Sequence, residues 1–309
     1  MASTGPIVVP LDGSEKDARA LAVAQALARL SGAPLHLVHV LDESAHGDQR
    51  HSAREDAERR LAESAASQAA DAGVDAGWAV LTAEDVVDAV IRHATERDAL
   101  AVVMGTRAPN VAGRLVAGSV ADRVMRESPR PVVLVPPGTA YLAGNRIRFG
   151  RVLVPYDGSA LAEQTLDFLL QLPHANTLEY VLLTVVAPAA GSWPLGVVPG
   201  EGASGERRTA ERRLEEVAAR ARAHGATAIE THVVDGADPA AIIAQAVREF
   251  LVEMIAMSTR GAGGLRRLVL GSVAEAVVRA SEVPVLLLTP AAHAWRSRTV
   301  RGPEDDHDG

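Results

Sequence analysis

Short, almost uninterrupted aliphatic runs alternate along the chain with longer segments in which apolar positions recur at helical spacing. Strands buried on both faces read as continuous apolar runs, so the pattern predicts a parallel sheet covered by helices on each side. In the first half it predicts strands near 6–11, 34–41, 76–81, 99–104 and 131–136, with helices at about 14–31, 50–72, 83–97 and 118–127. Ser14 and Ser119 stand where N-caps are expected, and Gly32 and Gly73 where helices should stop.

The second half repeats the first. Ile7-Val8-Val9-Pro10-Leu11-Asp12-Gly13-Ser14 recurs as Val152-Leu153-Val154-Pro155-Tyr156-Asp157-Gly158-Ser159, an offset of 145 residues. Leu115 to Ala121 recurs as Leu268 to Ala274, and Pro131 to Val135 as Pro284 to Leu288, now at an offset of 153. Val40 still matches Val185 at 145 whereas Gly73 matches Gly225 at 152, which predicts an enlarged Gly/Pro/Ser/Ala-rich loop at about 187–205. The expected layout is a first domain over 1–137, a linker over 138–150, a second domain over 151–290 and a disordered tail over 291–309.

Composition narrows the partners. Of 309 residues 48% are hydrophobic but only 3% aromatic, which leaves few rings for stacking bases. A net charge of −8 with arginines interspersed among acids argues against a nucleic-acid partner. No cysteine is present, no apolar run approaches membrane-spanning length, and residues 1–10 lack the features of a leader. A cytoplasmic protein with no membrane partner is the expectation.

Ligands of doubly wound sheets bind outside the carboxyl ends of the strands, where the strand order reverses. Asp12 and Asp157 each end a first strand ahead of a Gly-Ser helix start, placed to accept hydrogen bonds from a ribose or a base amine. The same Asp-Gly-Ser could simply make a turn and cap a helix. After the fourth strand the second copy reads Met257-Ser258-Thr259-Arg260-Gly261-Ala262-Gly263-Gly264 and then Gly271-Ser272, a loop and helix start able to turn N–H groups toward phosphates. The first copy reads Met104-Gly105-Thr106-Arg107-Ala108-Pro109-Asn110 before Gly118-Ser119; Pro109 cannot donate, so this is the weaker cradle.

These residues resemble the universal stress protein family, whose domains carry the strand-one Asp and the spacing Gly-x2-Gly-x9-Gly-Ser/Thr, and the likeness covers nearly the whole chain twice. Copy two matches as Ser258-x2-Gly261-x9-Gly271-Ser272 and departs at the first glycine; copy one matches as Gly105-x2-Ala108-x9-Gly118-Ser119 and departs at the second. The resemblance implies two tandem Rossmann-like domains of the adenine nucleotide alpha hydrolase type, paired through their fifth strands as an intramolecular pseudo-dimer that could pair again as a homodimer. It also implies that ATP, with Mg2+ carried by the phosphates, binds at the loop and helix start, Val120 and Val273 included. The Asp then lies by the ribose and base, and Val40 or Val185 lines the adenine pocket. The function implied is regulatory binding of ATP in a stress response, with copy two the stronger binder.

Rival readings draw on other features. Lys16 is the sole lysine, so there is no phosphate-binding Gly-x4-Gly-Lys loop, and no catalytic residue can be named; enzymatic activity would be at most weak ATP hydrolysis. A phosphoacceptor receiver would need a lysine after strand five, where Pro136 and Pro290 follow instead. His36, His39, His93, His174, His224 and His232 show no metal-ligand spacing. The substituted glycines also suit a dimerising adaptor that holds no nucleotide and presents the 187–205 loop or the Trp295 tail to an unknown protein partner.

Overall fold

The computed structural model describes residues 5–43, 50–106, 120–139, 147, 149–187, 201–259, 270–289 and 292. Its first half runs β1 (Ile7–Pro10), α1 (Lys16–Ser31), β2 (Leu35–Asp42), α2 (Arg50–Ala72), β3 (Ala76–Ala83), α3 (Val86–Glu96), β4 (Ala101–Gly105), α4 (Val120–Glu127) and β5 (Val132–Val135). The second half repeats this order as β6 (Arg151–Pro155), α5 (Ala160–Leu170), β7 (Glu179–Val186), α6 (Glu201–Ala223), β8 (Ala228–Asp235), α7 (Pro239–Glu249), β9 (Met254–Ser258), α8 (Ser272–Ala280) and β10 (Val285–Leu288), with a 3-10 turn at Ala175–Thr177 after α5.

All ten strands join one sheet in the order β3-β2-β1-β4-β5-β10-β9-β6-β7-β8. Pairing is parallel everywhere except at the seam, where β5 and β10 run antiparallel with Val132 opposite Leu287, Val133 opposite Leu286 and Leu134 opposite Val285. The two halves thus form the intramolecular pseudo-dimer expected. The strand cores are shut off from solvent because helices cover both faces: α1, α2, α5 and α6 pack on one, α3, α4, α7 and α8 on the other. Cross-seam hydrogen bonds add to this, from Thr289 Oγ1 to the Ser128 carbonyl (3.1 Å) and from the His174 N–H to the Leu30 carbonyl (3.1 Å).

Helix termini follow local chemistry. Gly32 closes α1 at φ 66°, and Gly73 beyond α2 has the same φ, a backbone state that favours glycine. Asp85 and Asp238 cap α3 and α7 by accepting from Val87 and Asp88 (2.8 and 3.2 Å) and from Ala240 and Ala241 (3.1 Å each).

Two expectations need correction. Ser14 does not cap α1: the cap position is Glu15, which makes no side-chain capping bond, and the Asp17 carboxylate reaches back from the first turn to tie down the preceding turn, accepting from the N–H groups of Asp12 (3.1 Å) and Gly13 (2.7 Å). The segment 201–205, expected in the enlarged loop, belongs to α6; glycines early in a helix of 23 residues are outweighed by the packing of its later turns. Of the expected loop, 188–200 lies outside the described residues, as do Ser119 and all of the 291–309 tail except Ala292. Among the described residues no helix is long and apolar enough to cross a membrane.

Candidate functional site

Strand order reverses between β1 and β4 in the first half and between β6 and β9 in the second, which defines a crevice at the carboxyl ends of those strands. Because β5 and β10 are antiparallel, the two crevices open at opposite rims of the sheet.

The two crevices have matching floors. The Leu11 N–H donates to the Val38 carbonyl and the Tyr156 N–H to the Leu183 carbonyl, each at 2.8 Å, which extends the first strand of each copy by one residue. The carbonyls of Leu11 and Tyr156 are then held from the second strand, by His39 Nδ1 (2.8 Å) and by Thr184 Oγ1 (2.8 Å). The chain turns at Gly13 (φ 82°) and Gly158 (φ 79°), and Oδ1 of Asp12 and of Asp157 accepts from Ser14 (3.1 Å) and Ser159 (3.0 Å). Each aspartate therefore spends one oxygen on the turn, while its side chain stays on the exposed rim.

Beyond this floor the copies part. In copy one Lys16 Nζ donates to Asp12 Oδ2. Partial burial would raise the Asp12 carboxyl, but the Lys16 and Ser14 hydrogen bonds and the Lys16 charge outweigh it and hold the pKa down to about 2. Burial, with the neighbouring Asp12 charge, pushes Asp17 upward against its bonds from Gly13 and Asp12. In copy two Ser159 does cap, accepting from Ala162 (3.2 Å). Tyr156 lies beneath the turn and donates to Glu163 (2.9 Å), which also pairs with Arg220 (3.0 Å); burial first, then the Glu163 bond, push its hydroxyl up to about 12. The Arg213 guanidinium of α6 stands over the same turn, 3.7 Å from where a Cβ on Gly158 would be.

Strand four supplies the opposite wall. The N–H groups of Thr106 and Thr259 donate to Val135 (2.8 Å) and Leu288 (2.9 Å) in matched fashion. Gly105 has no room for a side chain: a Cβ there would lie 2.8 Å from both the Cβ and the carbonyl oxygen of Lys16. Its counterpart Ser258 fits, buried, at the end of β9. The Gly271 N–H donates to the Thr259 carbonyl (2.7 Å), so α8 starts beside the end of β9. Gly271 offers no side-chain cap, which leaves the first-turn N–H groups of Ser272 and Val273 uncapped from that position.

Asp157, Val185, Ser258, Gly271, Ser272 and Val273 thus gather at one rim, at the ends of β6, β7 and β9 and the start of α8. Asp12, Val40, Gly105 and Val120 stand correspondingly at the other. Gly118, Ser119 and Gly261 lie outside the described residues. Sequence reasoning missed Asp17, His39, Thr184 and Arg213 and gave Lys16 no place in the site. The alternation Asp12-x3-Lys16-Asp17, one helical turn of charges, was the one available signal for the first and last of these. Among the described residues no cluster of three or more acidic or histidine side chains could hold a metal.

Comparison with known proteins agrees with this architecture. The profile of the universal stress protein family matches residues 4–136 and 148–289. A universal stress protein from Thermus aquaticus is 36% identical over 132 residues, 42% of this chain and 96% of its own. The crystal structure of a universal stress protein from Archaeoglobus fulgidus superposes with a TM-score of 0.70 at 24% identity, covering 94% of this chain and 99% of its own. A universal stress protein of that organism in complex with dAMP is 28% identical, with a TM-score of 0.35, over 43% of this chain and 98% of its own. With two family matches that together span most of its length, the chain belongs to the universal stress protein family.

Proposed function

We propose that the chain binds ATP at the rim of copy two and acts as a regulatory nucleotide-binding protein in a stress response. The observation that carries this reading is the convergence of a strand-one carboxylate, Asp157, with the Gly271-Ser272 helix start across a switch-point crevice. Helix N-termini favour anionic groups, so the α8 start suits phosphates, and Asp157 suits a ribose hydroxyl or base amine as donor. The apolar side of the crevice is Val185, half-buried near the end of β7, and Arg213 adds a cation above the turn. Mg2+ would arrive with the phosphates. No described residue supplies a positioned base or nucleophile, so binding rather than turnover is the proposed role.

Isothermal titration of the purified chain with ATP tests the reading. Gly271→Val, which puts a branched side chain at the N-cap of α8, is expected to weaken uptake at least tenfold while circular dichroism stays native. Unchanged affinity in that variant would defeat the assignment. Full-length protein that takes up no ATP at millimolar concentration would favour an adaptor instead.

A further inference from the structure

The chain's sole lysine lies across the copy-one crevice. Its Cβ and carbonyl oxygen are 2.8 Å, and its Cγ 3.2 Å, from where a side chain on Gly105 would begin, which sets the stem of Lys16 over the end of β4. Its ammonium donates to Asp12 beyond the end of β1, the strand that pairs with β4 through Ile7–Ala101 and Val8–Val102. One side chain therefore spans the gap between the two strand ends where a ligand of this fold enters. At the matching position, 145 residues on, stands Leu161, which carries no charge, and Ser258 occupies the place of Gly105.

From this geometry we propose that Lys16 is a built-in occupant of the copy-one crevice: its ammonium holds the carboxylate a nucleotide's hydroxyl or amine would need, and its stem fills the space beside Gly105. The proposal rests on the reading of these crevices as nucleotide sites. A neutral donor arriving at Asp12 must displace an ammonium that gives the carboxylate an opposite charge as well as a hydrogen bond. The first two carbons of the stem lie against the end of β4, so the lysine is anchored within reach of Asp12. Lys16 thus makes the tandem chain a one-site protein by chemistry rather than by loss of the fold.

Because there is one lysine, selective labelling at lysine Cε and Nζ gives a single side-chain NMR signal from the full chain. In wild type, Asp12→Asn is expected to move that signal, and saturating ATP is expected to leave it in place while calorimetry counts one ATP per chain. Lys16→Leu, the residue of copy two, is expected to take up two, the second within about tenfold of the first. Uptake of one ATP by Lys16→Leu with one also by wild type would overturn the proposal, as would two sites in wild type. A lysine signal that moves in step with ATP would overturn it too, making Lys16 a ligand contact; this readout needs no substitution. No uptake by wild type but one by Lys16→Leu would sustain the occupant role and sink the copy-two site, so the two failures are distinguishable. No uptake by either overturns both.

Discussion

The two halves reach the same backbone with different chemistry, and the differences come in pairs. In copy one His36 and His93 stack inside the domain with ring centroids 5.1 Å apart, and neither Nε2 has a hydrogen-bond partner among the described residues. The matching positions of copy two, at offsets 145 and 153, are Val181 and Ala246, both buried. Asp98 and Leu251 share the same left-handed φ of 52° at matched positions, yet Asp98 pairs with buried Arg130 (2.9 Å) whereas Leu251 is exposed and the counterpart of Arg130 is buried Val283. Asp12 with Lys16 against Asp157 with Leu161 is the third such exchange. In the first two exchanges both members change together, which avoids leaving one polar member alone in the interior; in the third the aspartate is kept, exposed, and only the lysine is replaced.

The sharpest break between the copies should appear in acid. Burial first, then the charges of Arg97 and His93, hold His36 down to about 4, below the 6.5 of an exposed histidine, and burial and Arg97 lower His93 against the opposing pull of Glu96. A folded-state pKa below the unfolded one means stability that is full above pH 6.5 and lost as pH falls toward 4. The loss from His36 is about 3 kcal/mol. Urea unfolding from pH 7 to 4 should show it in wild type and much less of it in the double variant His36→Val, His93→Ala, which imports the copy-two residues; parallel pH curves would remove the pair from the comparison.

The aspartates should separate next. Asp157→Ala is expected to cost about 1.5–3 kcal/mol of ATP binding, roughly ten- to a hundredfold in Kd, whereas Asp12→Ala should leave that Kd alone. Equal losses would mean equivalent crevices. Exchanging the strand-four residue gives a comparable or smaller effect on folding: Gly105→Ser forces a side chain against Lys16 and should lower stability by about 1–3 kcal/mol, read as a drop in thermal midpoint. A neutral result there would show that Lys16 yields readily. The smallest effect belongs to Thr184→Val, which removes one hydrogen bond to the Tyr156 carbonyl and should cost about 1 kcal/mol in the same assay.

The architecture was legible because the repeat and the aliphatic runs are read independently and agree, with β2 and β7, expected near 34–41 and its counterpart, found at Leu35–Asp42 and Glu179–Val186. The strand-one aspartates and Gly271 could be placed for the same reason. What stayed hidden depends on direction rather than type. Ser14 has the right chemistry for a cap, but the cap position falls one residue later, at Glu15, while the Asp17 carboxylate ties down the turn that precedes the helix. Lys16 reads as an ordinary solvated charge until the approach of α1 to Gly105 lays its stem against the end of β4. His39 and Thr184 look unrelated as residue types, yet each donates to the same carbonyl of its copy.

The antiparallel meeting of β5 with β10 has a consequence for how such a molecule can specialise. Two separate chains joined across that edge would be copies of each other, so any lysine placed in one crevice would appear in both. With the seam closed inside a single polypeptide, symmetry survives in the backbone while each half is free to be altered alone, and one rim can be silenced without touching the other. Since the rims point in opposite directions, a partner that reads nucleotide occupancy need visit only one end of the sheet.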